Sequence, residues 1–227
     1  VLLAFTNYDK NHQPPGNLFT WIGFQNFQDI FWQDPLKSFT FGRLLLWTLV
    51  WAVFATFTNY IFGMILALLI NKKGIRFKKF WRTLFVITIA VPQFVSLLLM
   101  SQLLHDQGAL NVLLQEMGIT SGPIHFLTDP TLAKSSVILV NMWVGIPYTM
   151  LITSGILMNI PDDLYESAKI DGASPAQTFF KITMPYMLFV TTPYLITQFV
   201  GNINNFNVIF LLTGGGPLTL DYYQAGH

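Results

Sequence analysis

The chain contains no cysteine, and only 10% of its 227 residues are charged. The missing cysteine excludes disulfides and thiolate metal sites and leaves the compartment open. The scarcity of charge says more. A soluble domain carries about a quarter charged residues, so a chain that is 52% hydrophobic with so few charges belongs in a membrane. Catalytic constellations are lacking too. His12, His105, His125 and His227 are scattered outside the apolar runs with no ligand spacing between them. There is no GxxxxGK[ST] phosphate loop, so the chain is not expected to bind or hydrolyse ATP itself.

What is present is a series of long apolar runs. Residues 44–70 carry no charge and exceed the roughly 20 residues that cross a bilayer. Residues 84–104 form a second uncharged run, interrupted by Pro92. Residues 136–158 form a third, with Gly145 and Pro147 near its middle. Residues 186–213 form a fourth, with Pro193 and a polar cluster from Gln198 to Asn207. None of the four holds Asp, Glu, Lys, Arg or His. Proton-coupled carriers place such groups in the membrane as relays, so their absence argues against that class. It weighs less against a sodium-driven carrier, which can use carbonyls and hydroxyls. Proline and glycine at membrane depth are tolerated where neighbouring helices or a cavity satisfy the freed backbone, which predicts bent or broken helices around a cavity. Val1 to Tyr8 reads as the tail of a span and the chain stops at His227 without a closing one, so a fragment of a longer protein, lacking at least one helix at each end, is expected.

The basic residues orient the runs. Residues 71–83 hold Lys72, Lys73, Arg76, Lys78, Lys79 and Arg82, half of the 12 Lys and Arg, and no acid. The positive-inside rule makes this loop cytoplasmic; the same residues suit anionic lipid headgroups. Alternation then puts residues 105–135 outside, where Asp106, Glu116 and Asp129 meet only Lys134, and residues 159–185 inside. Residues 9–43, rich in Phe, Trp, Asn and Gln, fall outside as an interfacial aromatic cap. Gly214-Gly215-Gly216-Pro217 reads as an external turn.

The inside segment 159–185 is polar, yet its local chemistry spells two short helices. Pro161 suits a first helical position, with Asp162 and Asp163 in the first turn, where the helix dipole favours negative charge. Gly172 is a natural stop. Ser174, Pro175 and Gln177 read as N-cap, first helical residue and capping-box partner of a second helix. In the last run Gln198, Gly201, Asn202 and Asn205 follow i, i+3, i+4, i+7 spacing and share one helical face. Neutral amides donate and accept, which suits the hydroxyls of an uncharged polyol, and Gly201 leaves room for a ring. Interhelical hydrogen bonding uses the same residue types, and both readings stay open.

Glu166-Ser167-Ala168, three residues, Gly172, nine residues, Ile182, one residue, then Met184-Pro185 resembles the EAA loop of ABC-importer permeases, with Ser for the second Ala and Met for Leu. The resemblance implies that this loop, through Glu166, Ser167, Ala168, Asp171, Gly172, Ile182 and Pro185, docks in a cleft of a cytoplasmic ATPase subunit. Trp143 to Tyr148, Ile160 to Glu166, Asn202 to Phe206 and Leu211 to Pro217 are similar to the carbohydrate permeases of the maltose type, as is Trp21 to Phe27 followed by Ile30 and Phe31. That likeness implies a sugar site at about mid-membrane formed by Val144, Gly145, Tyr148, Gln198, Gly201, Asn202 and Asn205, with Tyr148 stacking on a sugar face.

The expected fold is therefore an all-α integral membrane protein, a polytopic helix bundle in a bacterial cell membrane, forming one unit with a cytoplasmic helix–turn–helix coupling loop. The expected function is a permease subunit moving maltose or maltodextrin, with no cofactor of its own and ATP and magnesium on a partner. Implied partners are a second homologous permease, two copies of the ATPase, an extracellular sugar-binding protein and membrane lipid, and no nucleic acid. Alternatives are a permease for another polyol such as glycerol phosphate, and a self-sufficient carrier or channel.

Overall fold

The structure, a computed structural model, describes residues 2–9, 11–12, 18–33, 35–72 and 74–217. Lys73 and His227, named above, lie outside them, as do parts of 9–43. Ten α-helices occur among these residues and no strand: α1 (Gln25–Gln28), α2 (Pro35–Asn71), α3 (Lys78–Ala90), α4 (Gln93–Leu104), α5 (Ala109–Glu116), α6 (Pro130–Leu157), α7 (Asp162–Ile170), α8 (Pro175–Thr178), α9 (Met184–Ile203) and α10 (Phe206–Thr213). Two compact units divide the chain, one up to Val50 and one from Trp51.

In the first unit Phe5 stacks on Trp21 at 5.5 Å and meets Phe24 and Phe27 at 5.3 and 5.4 Å. Asn26 Nδ2 donates to the carbonyls of Ala4 and Thr6, closing the turn around these rings. The Asp9 carboxyl is held below the usual carboxylate range, first by the Asn11 backbone N–H and then by His12.

Helices α2 and α6 are each long and apolar enough to cross a membrane, with Phe41–Asn71 and Pro130–Leu157 as the candidate spans. The other two runs are bent. The expected span 84–104 is instead two helices, the axes of Lys78–Ala90 and Gln93–Glu116 meeting at 88°. Pro92 supplies the local reason: it cannot donate into α3, and its ring drives Val91 to an extended conformation (φ −76°, ψ 125°). The run 186–213 bends by 44°, at Asn204-Asn205 and not at Pro193. No break occurs at Gly145 or Pro147 either, which lie inside an unbroken α6.

The buried face of α2 explains the packing. Trp51, Ala52, Ala55, Thr56, Tyr60, Met64, Ala67 and Ile70 are all buried. Small residues let helices approach in lipid, where no hydrophobic force pulls them together. At Gly63 a Cβ would sit 2.7 Å from Thr149 Cβ, so α2 and α6 cross there with no space for a side chain. Polar side chains then join the helices. Tyr60 OH accepts from Thr191 Oγ1 at 2.8 Å, and Thr153 Oγ1 lies 3.4 Å from the Gly63 carbonyl. Arg82 Nη2 donates to Asn71 Oδ1 at 3.0 Å and Ser154 Oγ at 3.3 Å. That last cluster brings the end of α2, the start of α3 and the end of α6 together. The basic loop and the 159–185 segment therefore leave the bundle at the same end.

Replacing Gly63 by Leu forces α2 and α6 apart and should destabilise the protein by about 1–3 kcal/mol, the usual cost of overpacking. Gly155→Ala, where a Cβ meets nothing within 4 Å inside α6, should not lower the thermal midpoint in detergent. Equal midpoints for wild type and Gly63→Leu would contradict the close crossing.

Candidate functional site

The loop after α6 folds as its residues dictate. Asp162 and Asp163 sit in the first turn of α7 and Lys169 in the last, each complementing the dipole. Pro161 is one place earlier than expected, at the N-cap (φ −59°, ψ 130°), because α7 begins at Asp162. Gly172 adopts φ +74°. Its N–H bonds the Lys169 carbonyl at 3.2 Å and the Ala173 N–H bonds Ala168 at 2.9 Å, a complete Schellman ending. Ser174 and Gln177 form the expected capping box, Gln177 N donating to Ser174 Oγ at 3.2 Å and Ser174 N to Gln177 Oε1 at 2.8 Å.

The second helix does not stop, however. From Thr178 the chain passes through a π-turn, Phe179–Thr183, straight into α9 at Met184. Nothing between 178 and 184 breaks a helix, and Pro185 lies in the first turn of α9. Between α7 and α8 runs a groove of about 510 Å³ lined by Leu164, Ser167, Ala168, Asp171, Gly172 and Ile182 among others. Five of the seven expected coupling residues meet there. Glu166 and Pro185 are exposed outside its lining, as is Ile170 at 85% exposure. The loop is fastened to the bundle by Ile160, Tyr165, Phe179 and Tyr186, which pack against Tyr60, Met64 and Met187, and by a 3.1 Å contact of Tyr165 OH with Thr183 Oγ1.

The expected cargo residues divide between α6 and α9. Val144, Gly145 and Tyr148 share one face of α6, and Tyr148 is 46% exposed. Its ring lies 6.4 Å from that of Tyr194 on α9, whose hydroxyl is 3.0 Å from Thr149 Oγ1. Gln198, Gly201 and Asn202 belong to α9, and a Cβ at Gly201 would meet nothing within 4 Å. Asn205 falls beyond the end of α9, where its side chain caps α10 by accepting from Val208 N at 3.1 Å. The four-residue stripe is thus broken after its third member. Asn202 is buried and hydrogen-bonded through both ends of its amide. Its Nδ2 donates to Thr56 Oγ1 at 3.0 Å, its Oδ1 accepts from Asn205 at 3.4 Å, and its carbonyl accepts from the Trp51 indole at 3.0 Å. The first and third reach across to α2, and the second joins residues three apart in the chain.

Two amides that the sequence reading passed over are buried without partners: Asn141 Nδ2, one turn before Gly145 on the same face of α6, and Asn59 Oδ1 on α2. The helical spacing 141, 144, 145, 148 could have identified the first; nothing local marks the second.

A family model described as binding-protein-dependent transport system inner membrane component matches residues 59–226. The chain is 45% identical over 217 residues to the galactooligosaccharides transport system permease protein GanP of Bacillus subtilis, covering 95% of this chain and 51% of that protein. It is 40% identical over 223 residues to the maltodextrin transport system permease protein MdxF of the same organism, covering 96% and 51%. Against the maltose/maltodextrin permease protein MalF of Escherichia coli it is 38% identical over 218 residues, covering 95% and 41%. The chain spans about half the length of the curated relatives it matches. Among solved structures, a bacterial ABC transporter involved in import of the acidic polysaccharide alginate superposes with a TM-score of 0.71 at 25% identity, covering 85% of this chain and 66% of that one.

Asn202→Leu removes two side-chain hydrogen bonds and should cost about 1 kcal/mol, at roughly 0.6 kcal/mol for each such bond in a membrane. Gln198→Leu, at a side chain with no hydrogen bond among the described residues, should not move the thermal midpoint. An unmoved midpoint for Asn202→Leu would return that amide to the cargo face.

Proposed function

The chain belongs to the family of binding-protein-dependent transport system inner membrane components, and from that membership we propose that it is the permease subunit of an ABC importer for a neutral oligosaccharide. Maltodextrin is the specific cargo this reading names, and the 45% identity to GanP favours a galacto-oligosaccharide as the second. One observation carries the neutral class. The runs 44–70, 84–104, 136–158 and 186–213 hold no ionisable residue other than tyrosine, and the expected cargo residues of α6 and α9 bring only the phenol of Tyr148 and the amides of Gln198 and Asn202. An anionic cargo such as glycerol phosphate or alginate would need a cation at the same depth.

The energy comes from outside the chain. ATP and its magnesium bind a cytoplasmic ATPase, two copies of which serve this subunit and a second permease, while an external binding protein delivers the sugar. The coupling groove receives or abuts the ATPase through Ser167, Ala168, Gly172 and Ile182, with Glu166 and the exposed Ile170 at its margin. Because Pro175–Ile203 is one helical path, a displacement at the groove reaches the level of Gln198 and Gly201 along a rod of about 40 Å. A self-sufficient carrier would have no use for such a lever.

Two experiments test this reading. In the reconstituted complex, binding-protein-stimulated ATPase activity should respond to maltotriose or a galacto-oligosaccharide and not to an alginate oligosaccharide; stimulation by the acidic sugar alone would defeat the neutral class. Gly172→Val places a β-branched residue at φ +74°, which costs about 1–2 kcal/mol. It should cut transport about tenfold, the factor for ~1.4 kcal/mol, and Glu166→Lys should also uncouple. Normal transport by both variants would refute the docking assignment.

A further inference from the structure

We propose that Asn59 on α2 forms a further wall of the cargo site, its side-chain amide bonding a hydroxyl of the neutral sugar beside Gly145. This rests on the cargo assignment of Gly145 and Tyr148 made above.

The polar side chains around Asn59 on α2 are spoken for. Thr56, one turn before, receives Asn202 Nδ2, and Tyr60 receives Thr191 Oγ1. Asn59 differs. Its Oδ1 is buried with no hydrogen-bond partner, and none of the bonds among the described residues uses its nitrogen. Within a membrane there is no bulk water to complete an amide, and each unsatisfied group is expensive. The nitrogen is not among the buried atoms, so the N–H donors are the end of this amide that a ligand can reach.

Its surroundings say where that ligand lies. A Cβ built on Gly145 would overlap the Asn59 amide nitrogen and sit 2.8 Å from its Cγ. The small residue at 145 therefore accommodates Asn59, whereas Gly201 opens on empty space. Asn59 and Gly145 form one unit, in which α6 gives up a side chain so that the amide of α2 can reach the face carrying Val144 and Tyr148. The amide offers two N–H donors and a carbonyl acceptor and no charge, which matches sugar hydroxyls and fails to compensate an anionic cargo.

The test uses the complete importer with its binding protein in proteoliposomes. Asn59→Leu should lower kcat/KM for the transported sugar about tenfold, the scale of one lost hydrogen bond. Removing one hydroxyl at a time from the sugar should identify a position that slows wild type by a similar factor and leaves Asn59→Leu unaffected. Gly145→Ala, which pushes the amide aside, should reproduce that insensitivity, and Asn59→Ser should retain part of the discrimination. Unchanged transport by Asn59→Leu, or a deoxy-sugar profile identical to wild type whatever the rate, would overturn the proposal and assign the amide to water or the second permease. If wild type moves no neutral sugar at all, the cargo reading itself has failed, which is a separate result.

Discussion

Hydrogen bonds across the bundle between α2 and α9 set the position of nearly everything that functions here. Trp51 and Thr56 bond Asn202, and Tyr60 bonds Thr191. In hydrocarbon these pairs are not exchanged for water, and sliding α9 by one turn would orphan all of them together. Individually they are modest, but they share one axial register. Since α9 is continuous with α8 through the π-turn, that register fixes the height of Gln198 and Gly201 at one end and the coupling groove at the other.

The coupling loop is rigid for a different reason. Its turn is closed by backbone and short-range side-chain bonds: the Schellman ending at Gly172 and the capping box of Ser174 and Gln177. Its base is held by aromatic and aliphatic contacts to Tyr60 and Met64. Its turn and its base are therefore each fastened by their own set of contacts.

Much of this loop was legible in the sequence because its structure is local. A glycine at φ +74°, a serine N-cap followed by proline and a glutamine three residues on are decided within a turn of helix. Pro161 was misplaced by a single position, and the continuation of α8 into α9 was missed because a π-turn leaves no breaker residue to notice. The prolines were harder. Pro92, Pro147 and Pro193 all follow a β-branched residue, yet only Pro92 accompanies a right-angled bend. Pro193 is flanked by Thr191 bonded to Tyr60 and Tyr194 bonded to Thr149, and Pro147 by Gly145 pressed on Asn59. Those contacts surround the two prolines inside unbroken helices, and they come from residues far away in the chain.

The sequence by itself determined the membrane setting, the common side of the basic and coupling loops, the caps of that loop and the family resemblance, since composition, charge asymmetry and turn chemistry act over short distances. Tertiary structure alone decided where helices bend, that Asn205 caps α10 instead of completing a stripe, that Asn202 bonds Thr56 and Trp51, and that Gly145 lies against Asn59. Each of these depends on which side chain faces which across a helix crossing, a relation between residues some 90 or 150 positions apart that periodicity along one helix cannot express.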